Sequence, residues 1–377
     1  MRAEIIEKLS TINLIDWNRV AGPTNPFIQY EFLIALENNR CLDEYGWHSR
    51  HIVLYDDDDQ LVAAMPMYLK DNSYGELVFD WAWADAYHRA GIPYYPKLVT
   101  AIPYTPATGP RILVDENQDY ETCAKQLTHF AIKHAESINA SSLHWLFTNK
   151  RDTDFLRSQG HPMRLGCQFH WQNLPYENFD DFLSHMSSSK RKKIKRERRQ
   201  VKEQGIEIEI RHGDEMDDSL WKIYHDFYTS TFDKKSGMAT LSRDFFQELG
   251  ETMPRNVVIV FAKYQNQYIA SAFNLRDQTT LYGRHWGCSE EFHSLHFEAC
   301  YYQGLDYCIQ HGLQRFEPGA QGEHKISRGF LPSDTWSAHW IAHPEFNQVI
   351  QNYTQQEQQG MQHYIDSLCD HSPFKLG

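Results

Sequence analysis

The alternation of apolar and polar positions along this chain sets out one arrangement twice. Ile52-Val53-Leu54-Tyr55, an acidic turn, and Gln60-Leu61-Val62-Ala63-Ala64-Met65-Pro66-Met67 predict two strands joined as a hairpin, with small residues in the second. Val257-Val258-Ile259-Val260-Phe261-Ala262, a polar turn and Gln267 to Leu275 repeat the pattern in the second half. A helix-like segment with a tryptophan precedes each hairpin at nearly the same offset, around Trp17 and around Trp221. A repeat unit this long is a whole domain rather than a solenoid unit, so one α/β module in tandem is expected.

The elements around the hairpins fit that order. In the first half, helical pieces around Trp17 and from Phe27 to Leu36 precede the hairpin. After it, Pro93, Pro96, Pro103 and Pro106 exclude a long helix and predict an elaborated loop with short elements. A strand Arg111 to Val114, an amphipathic helix Tyr120 to Ser137 and a buried strand Leu143 to Phe147 follow. In the second half the spacing predicts a strand from Ile206, helices around Trp221 and Phe245, the hairpin, a strand Thr280 to Trp286 and a helix Leu295 to Gln310 closed by Gly312. A strand Leu313 to Glu317 and a Gln-rich helix Pro344 to Leu368 complete it. The expected division is a module over residues 1–175, a basic linking helix over 176–205 and a module over 206–377.

Composition narrows the class. A length of 377 residues accommodates two cores, and 41% hydrophobic with 14% aromatic residues excludes a disordered chain. No stretch approaches the roughly 18 apolar residues of a membrane helix, and no secretory leader is visible. Seven scattered cysteines without a Cys-x-x-Cys pair predict reduced thiols and no structural zinc, hence a cytoplasmic protein. A net charge of −13 argues against non-specific adhesion to nucleic acid or anionic membrane. Lys190 to Arg199 breaks that trend with eight basic residues in ten positions. This run reads either as a solvated helix face or as a site for phosphates, RNA among them.

Several phrases carry a family resemblance. Gly109-Pro110 after a strand, the basic helix ending at Gly205 before a strand, and Lys325-Ile326-Ser327-Arg328-Gly329-Phe330 resemble features of the Fem family of peptidyl and aminoacyl transferases. Phe79 to Asp85, Tyr94-Tyr95-Pro96-Lys97-Leu98 and Gly319-Ala320-Gln321-Gly322-Glu323-His324-Lys325 resemble its FemAB-like, peptidoglycan biosynthesis/recognition subgroup, over nearly the whole chain. The resemblance implies a mixed α/β sheet in two copies of the Gcn5-related N-acetyltransferase (GNAT) fold. It also implies an acyl or aminoacyl transferase that forms an amide on an amino-group acceptor, a peptide or precursor. The rival reading is a catalytically idle protein that recognises a peptide or cell-wall precursor on the same fold.

In such a fold the chemistry sits where two central strands splay, which places Arg284 and His285 opposite the loop from Glu317 to Phe330. The expected catalytic groups are His324 and Glu323, either able to take an ammonium proton; Gln321, Lys325 and Arg328 are expected to hold substrate, the two cations through a phosphate or carboxylate. Asp80, Trp81 and Asp85 from the aromatic-acidic stretch, and Arg111, are the further substrate-binding candidates. The Gln/Arg-x-x-Gly-x-Gly/Ala loop that cradles coenzyme A is absent from both copies, which argues against coenzyme A as donor. Fem enzymes also lack it and use an aminoacyl-tRNA, so the resemblance implies that donor, with an acyl-CoA as the other candidate and no firm cofactor. No metal site is expected.

Overall fold

The computed structural model describes every residue except Lys235, Ser236, Gln321, Leu376 and Gly377. The chain forms two compact units: Met1–Cys167 with Asp334–Tyr364, and Gln168–Ser333 with Ile365–Gly377. This differs from the expected cuts at 175 and 205. The basic helix belongs to the second unit, and the chain returns late to the first. The reason is strand pairing: Trp336 to Ile341 is hydrogen-bonded to Ser142–Thr148, an adjacency that sequence order does not disclose.

In unit 1 the predicted hairpin is His51–Tyr55 against Leu61–Met65, flanked by Arg2–Ile6 and Leu113–Val114 in an antiparallel sheet. A second sheet joins Trp47–Ser49, Tyr68–Lys70, Lys97–Thr100 and Ser142–Thr148, the last two parallel. Helix Tyr120–Ser137 buries Cys123, Leu127 and Ala131 in a core with Ile52, Val62, Leu143 and Trp145. The stretch read as an elaborated loop with short elements contains a nine-residue helix, Trp81–Arg89, ahead of the prolines. Trp83 and Tyr87 share one face of it and pack on Tyr94, Ile341 and Ile350. The edge of Ser142–Thr148 is taken by Lys97–Thr100, with Gly109 bridging at Thr148.

Unit 2 repeats the core order of helix, helix, hairpin, strand, helix and strand. Helices Asp218–Lys234 and Arg243–Thr252 precede the hairpin Val257–Tyr264 and Gln267–Arg276, then come Thr280–Cys288, a helical segment and Arg315–Glu317. Trp17 and Trp221, matched by offset in the sequence, are both fully buried. The first four strands, from Ile206–His212 to Thr280–Cys288, pair antiparallel. Arg315–Glu317 then adds in parallel and pairs on its other edge with Trp171 and Gln172. Both units therefore carry the GNAT-type module in tandem. Among the described residues, no helix is long and apolar enough to cross a membrane.

Helix Ser188–Glu203 is the basic segment, and its pattern explains its placement. Ile194, Glu197 and Val201 recur at helical spacing and are buried, while Lys192, Lys195, Arg196 and Arg199 stay exposed. Gly205, at φ 76°, turns the chain out of the helix into the next strand.

Candidate functional site

The sheet of unit 2 opens where two neighbours stop pairing. Thr280–Cys288 is parallel to Arg315–Glu317 only over Thr280↔Arg315, Leu281↔Phe316 and Tyr282↔Glu317, while its other edge stays paired as far as Cys288. Gly283 marks the parting point, where a β-carbon would come within 3.1 Å of Pro318 Cα. The ladder next to it shifts register between Phe273 and Asn274, a bulge that re-aims both side chains. Across the gap, Leu295–Phe297 and Gln303–Gln310 are joined by a π-helical turn, Glu298–Tyr302. Such a turn adds one residue per hydrogen-bonded ring and is frequent at functional sites.

These irregularities enclose a cavity of about 380 Å³. Asn274, Arg284, His285 and Trp286 come from the strands, Cys300 and Tyr301 from the π turn, and Pro318 to Ala320, His324 and Lys325 from the loop. Among the described residues, the lining holds two cations and three histidines and no carboxylate.

Each polar group is tuned by its surroundings. Lys325 is 2% exposed, and its Nζ donates to Gly319 O at 2.7 Å. Burial pulls its pKa down to about 8, with Cys300 the opposing influence. Burial also lowers the Arg284 guanidinium to about 10, so it stays cationic at neutral pH. His285 is pushed well below its ordinary value, first by burial and then by Arg284. It lies against the rings of Tyr228 and Phe246, as a neutral imidazole should. His324, at the exposed rim, is lowered by burial and by Arg328, Lys325 and Lys193, and its Nε2 is 2.9 Å from Tyr301 OH. Gly322, at φ 114°, permits this pose, since a β-carbon there would fall 2.4 Å from the His324 ring.

The sequence-derived candidates divide accordingly. Arg284, His285, His324 and Lys325 converge on the cavity. Glu323 is exposed and does not line it. Arg328 is buried and engaged elsewhere: its Nη2 donates to both carboxylate oxygens of Glu197 at 2.9 and 3.1 Å, its Nε to Tyr302 OH at 3.0 Å, and its Nη1 to His324 O at 2.8 Å. Tyr302 OH also donates to Glu197, and the guanidinium stacks on Phe297 at 3.5 Å. Arg328 thus pins the loop that carries His324 and Lys325 to the basic helix. Gln321 lies outside the described residues.

The remaining candidates belong to unit 1. Asp80 is buried against Lys97 and Tyr94, Asp85 is an exposed partner of Arg89 at 2.9 Å, and Trp81 is 44% exposed. Arg111 is fully buried, donating to the carbonyls of Leu146, Ala107 and Pro110 at 2.8, 2.7 and 3.0 Å, so its guanidinium braces the Gly109-Pro110 step. Sequence reasoning missed Asn274, Cys300, Tyr301 and Glu197. Only Glu197 left a signal, as the one acid of the basic run on the face shared by Ile194 and Val201.

Comparison with known proteins agrees with this architecture. The profile of the FemAB-like family, described as peptidoglycan biosynthesis/recognition, matches residues 8–376. No curated protein sequence matches the chain. Among solved structures, FemX superposes with a TM-score of 0.56 at 11% identity, over 93% of this chain and 100% of that one. The C-terminal domain of a putative lysylphosphatidylglycerol synthetase from Agrobacterium fabrum gives 0.55 at 6% identity, over 89% and 94%. L-PGS from Bacillus licheniformis gives 0.51 at 10%, over 88% and 98%. At these identities the structures bear on fold alone, but the family profile spans nearly the whole chain: it belongs to the FemAB-like family of peptidoglycan biosynthesis/recognition proteins.

Proposed function

We propose that the chain is a cytoplasmic amide-forming transferase that passes an aminoacyl or other activated acyl group to an amino-group acceptor in the cavity of unit 2. The observation that carries this is the buried Lys325 ammonium beside His324, facing a gap between strands that have stopped pairing. Amide formation needs a neutral amine, a base for its proton, and donors for the charge that develops on the attacked carbonyl. His324, kept neutral by burial and neighbouring cations, takes the amine proton at the rim as the C–N bond forms and returns it to the donor's ester oxygen or thioester sulfur as the acyl bond to the donor breaks. Lys325 spends one of its three N–H donors on Gly319 O and offers the others to the oxyanion. Arg284 and His285 hold the acyl or acceptor side; Glu323, exposed and away from the lining, has no part in the step.

The donor reading follows from the basic helix. Arg191, Lys192, Lys193, Lys195, Arg196 and Arg199 line a groove of about 580 Å³ on it. A focused row of this kind suits the phosphates of an aminoacyl-tRNA in spite of the acidic total charge. The acceptor is an amine on a peptide or cell-wall precursor, in keeping with the family's description as peptidoglycan biosynthesis/recognition.

The test is transfer of labelled amino acid from charged RNA, and of acyl groups from acyl-CoA, to amine-bearing precursor peptides. His324→Ala and Lys325→Met should each lower transfer on the order of a hundredfold while RNA binding persists. Binding of precursor without transfer from any donor would replace the enzyme with a recognition protein.

A further inference from the structure

The stretch from Asn72 to Trp81 in unit 1 is built inside out. Ser73, Glu76 and Asp80 are buried and converge on Lys97, which is itself fully buried. Lys97 Nζ donates to Ser73 Oγ at 2.9 Å, to Glu76 Oε2 at 2.8 Å and to Asp80, whose Oδ2 also accepts from Tyr94 OH at 2.6 Å. The apolar members point the other way: Tyr74, Leu77, Phe79 and Trp81 are 62, 38, 54 and 44% exposed. The backbone between them is tied down. Lys70 Nζ donates to Tyr74 O at 3.2 Å and Arg164 Nη1 to Phe79 O at 2.7 Å, and Leu77 is held at φ 62°, a conformation costly for a residue with a β-carbon. Water favours the opposite arrangement, with ions outside and large apolar side chains within.

We propose that this loop docks on the interfacial zone of a lipid surface with neutral or zwitterionic headgroups. The order of side chains matches the depth profile of such a zone. Tyr74 and Trp81, amphipathic rings suited to headgroup level, meet edge-on at 5.3 Å and close the two ends of the loop. Leu77 and Phe79, suited to the acyl boundary, fall between them. Charge points the same way. Both carboxylates of the loop are turned onto Lys97, so Ser73 to Trp81 present no charged side chain to the outside. Anionic headgroups gain nothing there, and the net charge of −13 opposes them. RNA requires outward cations, which this loop lacks. A glycan stacked on the rings would call for carboxylates beside them, yet Asp80 is withdrawn into the ion cluster and Asp85 is paired with Arg89.

The test is co-sedimentation of the full chain with phosphatidylcholine vesicles at low and high salt. Binding should survive high salt and weaken on the order of tenfold or more in Leu77→Asp/Phe79→Asp, both exposed positions. In a second measurement that does not depend on that variant, vesicles with brominated acyl chains should quench part of the tryptophan emission, and Trp81→Phe should remove that part. Failure of the full chain to bind, equal binding by the double variant, or quenching unchanged in Trp81→Phe each overturns the proposal. So does a salt-sensitive interaction, or self-association of the chain that the double variant abolishes, which would make a second copy the occupant.

Discussion

A lysine ammonium stripped of water and, among the described residues, hydrogen-bonded to the Gly319 carbonyl alone, as Lys325 is, sits in a site that would be more stable without its charge. The unfolded chain keeps the proton up to its ordinary value of 10.5, the folded chain only up to about 8. The unfolded state therefore binds more protons between those limits, and stability rises with pH across them. At neutral pH the mismatch costs about 3 kcal/mol. Lys325→Met should thus stabilise the ligand-free protein at pH 7 by an amount of that order, with the advantage shrinking towards pH 10. Denaturant unfolding of both proteins at the two pH values reads this directly, and a gap that does not change with pH would contradict it. A residue kept at such a cost is a functional candidate on physical grounds alone, and the sequence pointed to it through the charged, glycine-rich run at Gly319 to Arg328. Its neighbour Arg328, in the same run, could not be told apart there, because the Glu197 that claims it lies far away in sequence.

Among the elements, those with uninterrupted helical periodicity were legible from the residues: Tyr120–Ser137, the segment Leu295 to Gln310, and the last helix. Trp81–Arg89 was not, because Trp81-Ala82-Trp83 alternates as a strand does and the helical face is completed only by Tyr87. The bulge at Phe273/Asn274 and the π turn also leave no pattern. Each is a one-residue departure from regular geometry, and together they aim Asn274, Cys300 and Tyr301 into the cavity. The coupling of the basic helix to the site loop is testable at this level. Glu197→Gln strands the buried Arg328 charge and should cost about 3–5 kcal/mol in urea unfolding. Adding Arg328→Met to that variant should restore part of the loss, since the orphaned charge is then gone. Additive losses would show that the two residues act separately.

For the whole molecule, acidic total charge and a concentrated basic row make opposite demands on an RNA partner. Bulk charge repels it, and only contacts within a Debye length of the basic helix attract it. Replacing Lys192, Arg196 and Arg199 with Gln should therefore lower the slope of log affinity against log salt by about 2 for a single strand, at roughly 0.7 per phosphate lost. Filter binding of charged RNA across a salt series measures it, and an unchanged slope would move RNA off this helix. The duplication itself was visible in the hairpins and the paired tryptophans. The exchange of late segments was not, since the pairing of Trp336 to Ile341 with Ser142–Thr148 joins positions that no local pattern relates.

That exchange governs how the protein can be cut. A fragment ending near residue 175 would leave one edge of Ser142–Thr148 bare, an open template for intermolecular pairing, and should precipitate on expression. Trimming from the other terminus has its own penalty: Lys375 N donates to His185 O, Ser187 N donates to Pro373 O, and Phe374 packs on Phe182, so a short C-terminal truncation would loosen the start of the basic helix. Affinity handles are better placed at Met1, and a half-protein for crystallography has to be spliced, with residues 334–364 grafted behind 167, instead of simply shortened.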